Sequence, residues 1–109
     1  MSTVGEFEQI LLLAIAHLKA DAYGVTIRRE IERRLSRDVA IGAVYTSLGR
    51  LERKGYVRTW ASDPTPQRGG RSKRHFELTR SGKAALVGSR DRLSRMWRGL
   101  DPDALKGRP

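Results

Sequence analysis

Ala40-Ile41-Gly42-Ala43-Val44-Tyr45-Thr46-Ser47-Leu48-Gly49-Arg50-Leu51-Glu52-Arg53-Lys54-Gly55 is the stretch that decides how this chain folds. Placing successive residues about 100° apart puts Ile41, Val44, Leu48 and Leu51 on one side of a helix. Gly42, Thr46, Gly49, Arg50 and Arg53 fall on the other. The pattern predicts a helix from Ala40 or Ile41 to Lys54, closed by Gly55 as a left-handed cap. Ala40 stands where a polar cap is expected, so the helix either begins less sharply or is capped by Asp38. Each interior glycine costs about 1 kcal/mol relative to alanine. A merely solvated surface gains nothing from two of them. A face lying against another molecule gains close approach, with guanidinium groups towards its C-terminal end.

Upstream, Phe7, Ile10, Leu11, Ala14, Ile15 and Leu18 recur at helical spacing and predict a first helix over about Gly5–Leu18. Leu12 and Leu13 widen its apolar arc, so it needs cover from two sides. Asp21 offers an N-cap for a second helix, about Tyr23–Ser36, with Ile27, Ile31 and Leu35 as a narrow stripe and a mixed-charge outer face. Arg37-Asp38-Val39 is a short connector. Downstream, Tyr56 to Ala61 alternates in β-prone fashion, and Arg74 to Leu78 turns Phe76 and Leu78 the same way, which predicts a hairpin. Its tip reads Gln67-Arg68-Gly69-Gly70-Arg71-Ser72-Lys73, and Pro64 and Pro66 keep it out of the sheet. Glycines let such a tip approach a phosphate backbone and expose N–H groups to it. Thr79 can cap a last helix over about Arg80–Leu100, where Leu86, Leu93 and Leu100 recur every seven residues beside Met96 and Trp97. Polar residues Asp101 to Pro109 are expected to fray.

Composition narrows the function classes. The 109 residues hold 22 Lys and Arg against 12 Asp and Glu, a formal net charge of +10, and no cysteine. Without cysteine there is no disulfide framework, no Cys-ligated zinc and no thiol nucleophile. The longest apolar run, Ile10 to Ala16, has seven residues, far short of the roughly 20 that span a bilayer. Met1 to Glu8 lacks the basic start of a signal peptide, so the expectation is a soluble cytoplasmic protein. The charge is densest in residues 61–84, with six basic and two acidic side chains. Such an excess favours polyanions, because neutralised phosphates release counterions. An enzyme is not expected. His17 and His75 are far apart, no carboxylate pair has a recognisable catalytic spacing, and no phosphate-cradling loop precedes a helix. No cofactor or metal is expected either.

Helix, helix, turn, helix, β-hairpin, helix is the order of an α+β, mostly helical winged helix-turn-helix. It has three helices and a two-stranded wing over residues 1–79, a C-terminal dimerisation helix over 80–100 and a tail over 101–109. In that plan the third helix enters the major groove and the wing reaches phosphates or the minor groove. Basic residues fall on both elements, so two independent signals coincide.

Ala22-Tyr23-Gly24-Val25, Gly42-Ala43-Val44-Tyr45-Thr46-Ser47-Leu48, Leu51-Glu52-Arg53-Lys54-Gly55 and Leu78-Thr79-Arg80-Ser81-Gly82 together closely resemble the PadR family of bacterial transcriptional regulators. The resemblance runs over about Gly5 to Leu100. It implies a homodimer that binds double-stranded operator DNA, usually as a repressor, released in some members by a small molecule. Carried onto this chain, Tyr45 packs its ring and offers its hydroxyl to a phosphate, while Thr46, Ser47 and Arg50 point towards base edges, with Gly42, Gly49 and Arg53 on the same face. Arg68, Arg71, Lys73 and Arg74 of the wing position the protein, and Gly69 and Gly70 let its tip enter a narrow groove. Phe7, Leu11, Leu86, Leu93, Met96, Trp97 and Leu100 are the dimer candidates, and a pair of Trp97 rings could flank a slot for an aromatic effector. The competing class is a sequence-independent architectural protein whose helix and wing only grip phosphates.

Overall fold

The apolar stripes of the first three helices and the hairpin find most of their cover in the computed structural model, which describes residues 4–62 and 73–107, while that of the last long helix stays exposed. Helix α1 (Glu6–Leu18), a 3-10 turn (Lys19–Asp21), α2 (Gly24–Leu35) and α3 (Ile41–Arg53) precede strands β1 (Val57–Ala61) and β2 (Arg74–Leu78). Helices α4 (Arg80–Trp97) and α5 (Pro102–Leu105) follow. The core lies where Leu11, Leu12 and Ile15 of α1 meet Ile27 and Ile31 of α2, Val44, Leu48 and Leu51 of α3, and Val57 and Phe76 of the hairpin. Burying an aliphatic side chain of this size contributes about 1.5–3 kcal/mol. This junction therefore fixes which face of α3 looks outward.

β1 and β2 pair antiparallel, with Val57 opposite Leu78, Thr59 opposite Phe76 and Ala61 opposite Arg74. The Phe76 N–H donates to the Ala22 carbonyl at 2.9 Å and Tyr23 bridges to His75, so residues 22 and 23 run as a short extra edge beside β2. That pairing corrects the expected start of α2. Asp21 lies in the 3-10 turn rather than at a cap, and because Ala22 and Tyr23 are held extended the helix begins at Gly24. Thr26 supplies the capping bond, its Oγ1 accepting from the Tyr23 N–H at 3.0 Å.

Helix α3 starts at Ile41, with Ala40 at the N-cap position making no side-chain cap bond. Glu32 fixes the preceding turn instead, its Oε2 accepting from the Val39 N–H at 2.8 Å. Gly55 has the left-handed φ of 77° expected of it. Thr79 then ties α4 to this point: its Oγ1 accepts from the Gly82 N–H at 3.0 Å and its hydroxyl donates to the Gly55 carbonyl at 2.6 Å. A Cβ on Gly82 would lie 2.0 Å from the Tyr56 carbonyl oxygen, so only glycine lets α4 dock this closely.

Helix α4 is shorter than its heptad pattern suggests. It ends at Trp97, Gly99 takes a φ of 88°, and Asp101 caps α5 through the Asp103 N–H at 3.0 Å. The expected frayed tail is thus a capped helical turn as far as Leu105, with Pro102 in its first turn.

Candidate nucleic-acid interface

The outward face of α3 carries Gly42, Ala43, Thr46, Arg50 and Arg53, all exposed, with Gly49 half-buried. A Cβ on Gly42 would meet nothing within 4 Å, and one on Gly49 would make only an ordinary contact with the Arg53 guanidinium. Packing inside the protomer therefore requires neither glycine. Tyr45, at the edge of this face, is 49% exposed. Its ring leans on α2, where a Cβ on Gly24 would lie 2.1 Å from the Tyr45 hydroxyl oxygen. Gly24 and Tyr45 are thus one packing unit that sets where the hydroxyl sits.

Two expected readers are more constrained than the helical pattern suggests. Ser47 is buried, and its hydroxyl accepts from Arg50 Nη2 at 3.0 Å, so it supports a neighbour rather than facing outward. Arg50 is half-exposed and its Nε lies 3.8 Å from Glu8 Oε2. Glu8, on the first turn of α1, is buried. Its oxygens also accept from Lys54 Nζ at 2.9 and 3.0 Å, and Oε1 from the Gly5 N–H at 3.0 Å. Burial pushes the Glu8 carboxyl up, but the Lys54 and Gly5 hydrogen bonds and the charges of Lys54 and Arg50 outweigh it and hold the group below its usual range. Nothing in the periodicity of α1 marks Glu8 as a partner of α3. The available signal is its spacing three residues after Gly5, which suits a carboxylate reaching back to the helix start.

At the root of the wing, Lys73 Nζ sits 3.9 Å from the centroid of the Tyr23 ring, and Arg74 is exposed. His75 stacks on Trp60 at 5.0 Å and meets Tyr23 edge-on at 5.7 Å. This aromatic cluster fixes the wing's base against the start of α2. Arg58 pairs with Glu77 across the strands, which removes one cation from the free charge of the hairpin. Arg68, Gly69, Gly70 and Arg71 lie outside the described residues.

A family model described as the transcriptional regulator PadR-like family matches residues 12–87. The chain belongs to this PadR-like family. Among solved structures, a PadR family transcription regulator from Clostridium difficile R20291 is similar, at 24% identity over 93% of this chain and 99% of that one, with a TM-score of 0.69. The complex structure of hsRosR-S1 matches at 27% identity over 94% of this chain and 83% of that one, with a TM-score of 0.68. A PadR-like transcription factor from Bacteroides fragilis matches at 20% identity over 83% and 82% of the two chains, with a TM-score of 0.71. No curated protein matches significantly. The PadR-like chain is accordingly a winged-helix, DNA-binding transcriptional regulator and not an enzyme. The likeness in fold is not confined to bacterial proteins, since the archaeal RosR of H. salinarum is among the similar structures.

The dimer candidates of this PadR-like regulator divide in two. Leu11 is fully buried in the protomer's own core and has no surface to offer a partner, a correction that follows from α1 being covered by α2 and α3. Phe7 and Leu86 are half-buried against the same core. Leu93, Met96, Trp97 and Leu100 are exposed, as is Val87 nearly two turns before Leu93. Leu105 of α5 joins Met96, Trp97 and Leu100 around a shallow cleft. Among the described residues no helix is long and apolar enough to cross a membrane, and no cluster of three or more potential metal ligands occurs.

Proposed function

We propose that this PadR-like regulator binds operator DNA sequence-specifically as a homodimer and acts as a repressor. In this reading α3 lies in the major groove and the basic wing lies on phosphates or in the minor groove. The observation that carries it is the outward face of α3: two glycines that the protomer's packing does not need, beside exposed Thr46 and Arg50. Arginine paired to guanine is the commonest specific contact in the major groove. Pairing through α4 gives Val87, Leu93, Met96 and Trp97 the cover they lack in the monomer. A cytoplasmic location accompanies the reading, because a chromosomal operator is met there.

The test is a footprint on the DNA upstream of the protein's own coding region, with excess nonspecific competitor. Two protected half-sites about one helical turn apart support the reading. Diffuse coating that competitor abolishes would replace it with the architectural alternative. Added protein lowering transcription from that DNA in a reconstituted assay supports repression, and raising it would make the protein an activator.

A further inference from the structure

Arg50, the residue best placed to read a base, is not a free side chain. Its guanidinium meets the buried Ser47 hydroxyl on one side and a carboxylate fixed by other contacts on another. Nη2 donates to the buried Ser47 hydroxyl at 3.0 Å, and Nε faces Glu8 Oε2 at 3.8 Å. The Glu8 carboxylate has little freedom to turn away. Oε1 accepts from the Gly5 N–H at 3.0 Å, and Lys54 Nζ reaches both oxygens at 2.9 and 3.0 Å. A guanidinium has five N–H donors in a rigid planar fork. One Nη2 hydrogen is taken by Ser47 and Nε lies at ion-pair distance from Glu8, so the other donors of the fork are left for an outside acceptor, and the side chain is 49% exposed.

We propose that Glu8 is a positioning residue for Arg50: its buried carboxylate, with Ser47, holds the guanidinium so that the free edge of the fork meets a base pair. Glu8 then determines sequence specificity without touching DNA. Its own negative charge lies behind Arg50, where it opposes phosphate binding slightly while it aligns the fork. A long flexible side chain held in this way loses less rotamer freedom on binding, and the gain falls only on the sequence that the fork matches.

This inference rests on the specific-binding reading above, and its test separates the two. Wild-type protein is used to enrich duplexes from a randomised pool. Affinity is then measured, at one fixed salt concentration, for the most enriched duplex and for a scrambled duplex of the same composition. Wild type enriching nothing would sink the specific-binding reading and this inference with it, and that failure is seen before any variant is made. Given enrichment, Glu8→Gln is expected to lower the ratio of the two affinities about tenfold, with binding to the scrambled duplex unchanged or slightly tighter. In an Arg50→Ala background the same substitution should change the ratio no further. A purely structural tie predicts equal loss on both duplexes and additivity with Arg50→Ala, and either result overturns the proposal. Ser47→Ala removes only a hydroxyl and probes the same alignment from the other side. Should Glu8→Gln fail to fold, a reduced ratio in Ser47→Ala upholds the proposal and an unchanged one rejects it.

Discussion

Gly42 is the position where, under the proposed function, the chain's own stability and DNA binding pull in opposite directions. Open space surrounds the place where its Cβ would be, in the first turn of a helix. Gly42→Ala is therefore expected to stabilise the fold by up to about 1 kcal/mol, seen as a higher denaturation midpoint with an unchanged slope. It should also weaken binding to enriched DNA, since a methyl group would stand between helix and groove. A variant that is both more stable and equally tight would return this glycine to an ordinary solvated surface. Gly42 and Gly49 stand out in the sequence because glycine inside a helical pattern is conspicuous. Glu8 does not, because its role depends on which helix lies beside it, and Ser47 does not, because its burial depends on the elements packed against α3. The acid dependence of Glu8 follows from its geometry. Its carboxyl titrates below the ordinary value of 4.5 in the folded protein, so the stabilisation is present above that value and is lost as pH falls through the folded one. Glu8→Gln should cost about 1–2 kcal/mol near neutral pH, and the gap from wild type should narrow at a pH well below 4.5. Urea titrations of both proteins at the two pH values check this, and a gap equal at both would assign the loss to packing instead of charge.

Element order and most boundaries follow from periodicity and caps, because α1, α3 and both strands carry one clear apolar side. The exceptions have local causes. Helix α2 begins late because Ala22 and Tyr23 pair with β2, a contact between residues more than fifty positions apart that no window on α2 contains. Helix α5 is too short for any periodicity, although Asp101-Pro102 is a recognisable start signal. The short motifs make sense only between elements: Gly24 admits Tyr45 of α3, and Gly82 admits the Tyr56 backbone. The wing shows the same division. Its base is tied down by Tyr23, Trp60, Lys73 and His75. If the proposed reading holds, its cations act as a group, and Arg68, Arg71 and Lys73 changed together to Gln should weaken binding to every duplex alike. The dependence of affinity on salt should then flatten by about 0.9 in log–log slope for each phosphate that is no longer neutralised. An unchanged slope would leave the wing without a part in binding.

A net charge of +10 draws a protein to any nucleic acid, so specificity has to come from how contact surfaces are arranged and how many act together. One protomer presents one α3 and one wing, and a single short recognition surface yields modest discrimination. Helix α4 extends beyond the core, every residue from Asp91 to Trp97 is exposed, and Leu93, Met96 and Trp97 among them are large and apolar. Covering them with a second copy would turn the second half-site contact into an intramolecular event, at an effective concentration in about the millimolar range. Loss of pairing should therefore be far more costly on DNA with two half-sites than on DNA with one. Trp97→Ala is the substitution to use, since an aromatic side chain buries the largest area and Trp97 lies outside the protomer core. It should move the protein towards monomer in sedimentation equilibrium, leave the thermal unfolding of the winged-helix part nearly unchanged, and reduce affinity for a two-half-site duplex by about 10²-fold or more. Affinity for a single half-site should stay the same. A Trp97→Ala protein that remains dimeric, or binds both duplexes more weakly by the same factor, would place the pairing surface elsewhere, with the exposed Leu13 and Leu35 between α1 and α2 the next to substitute.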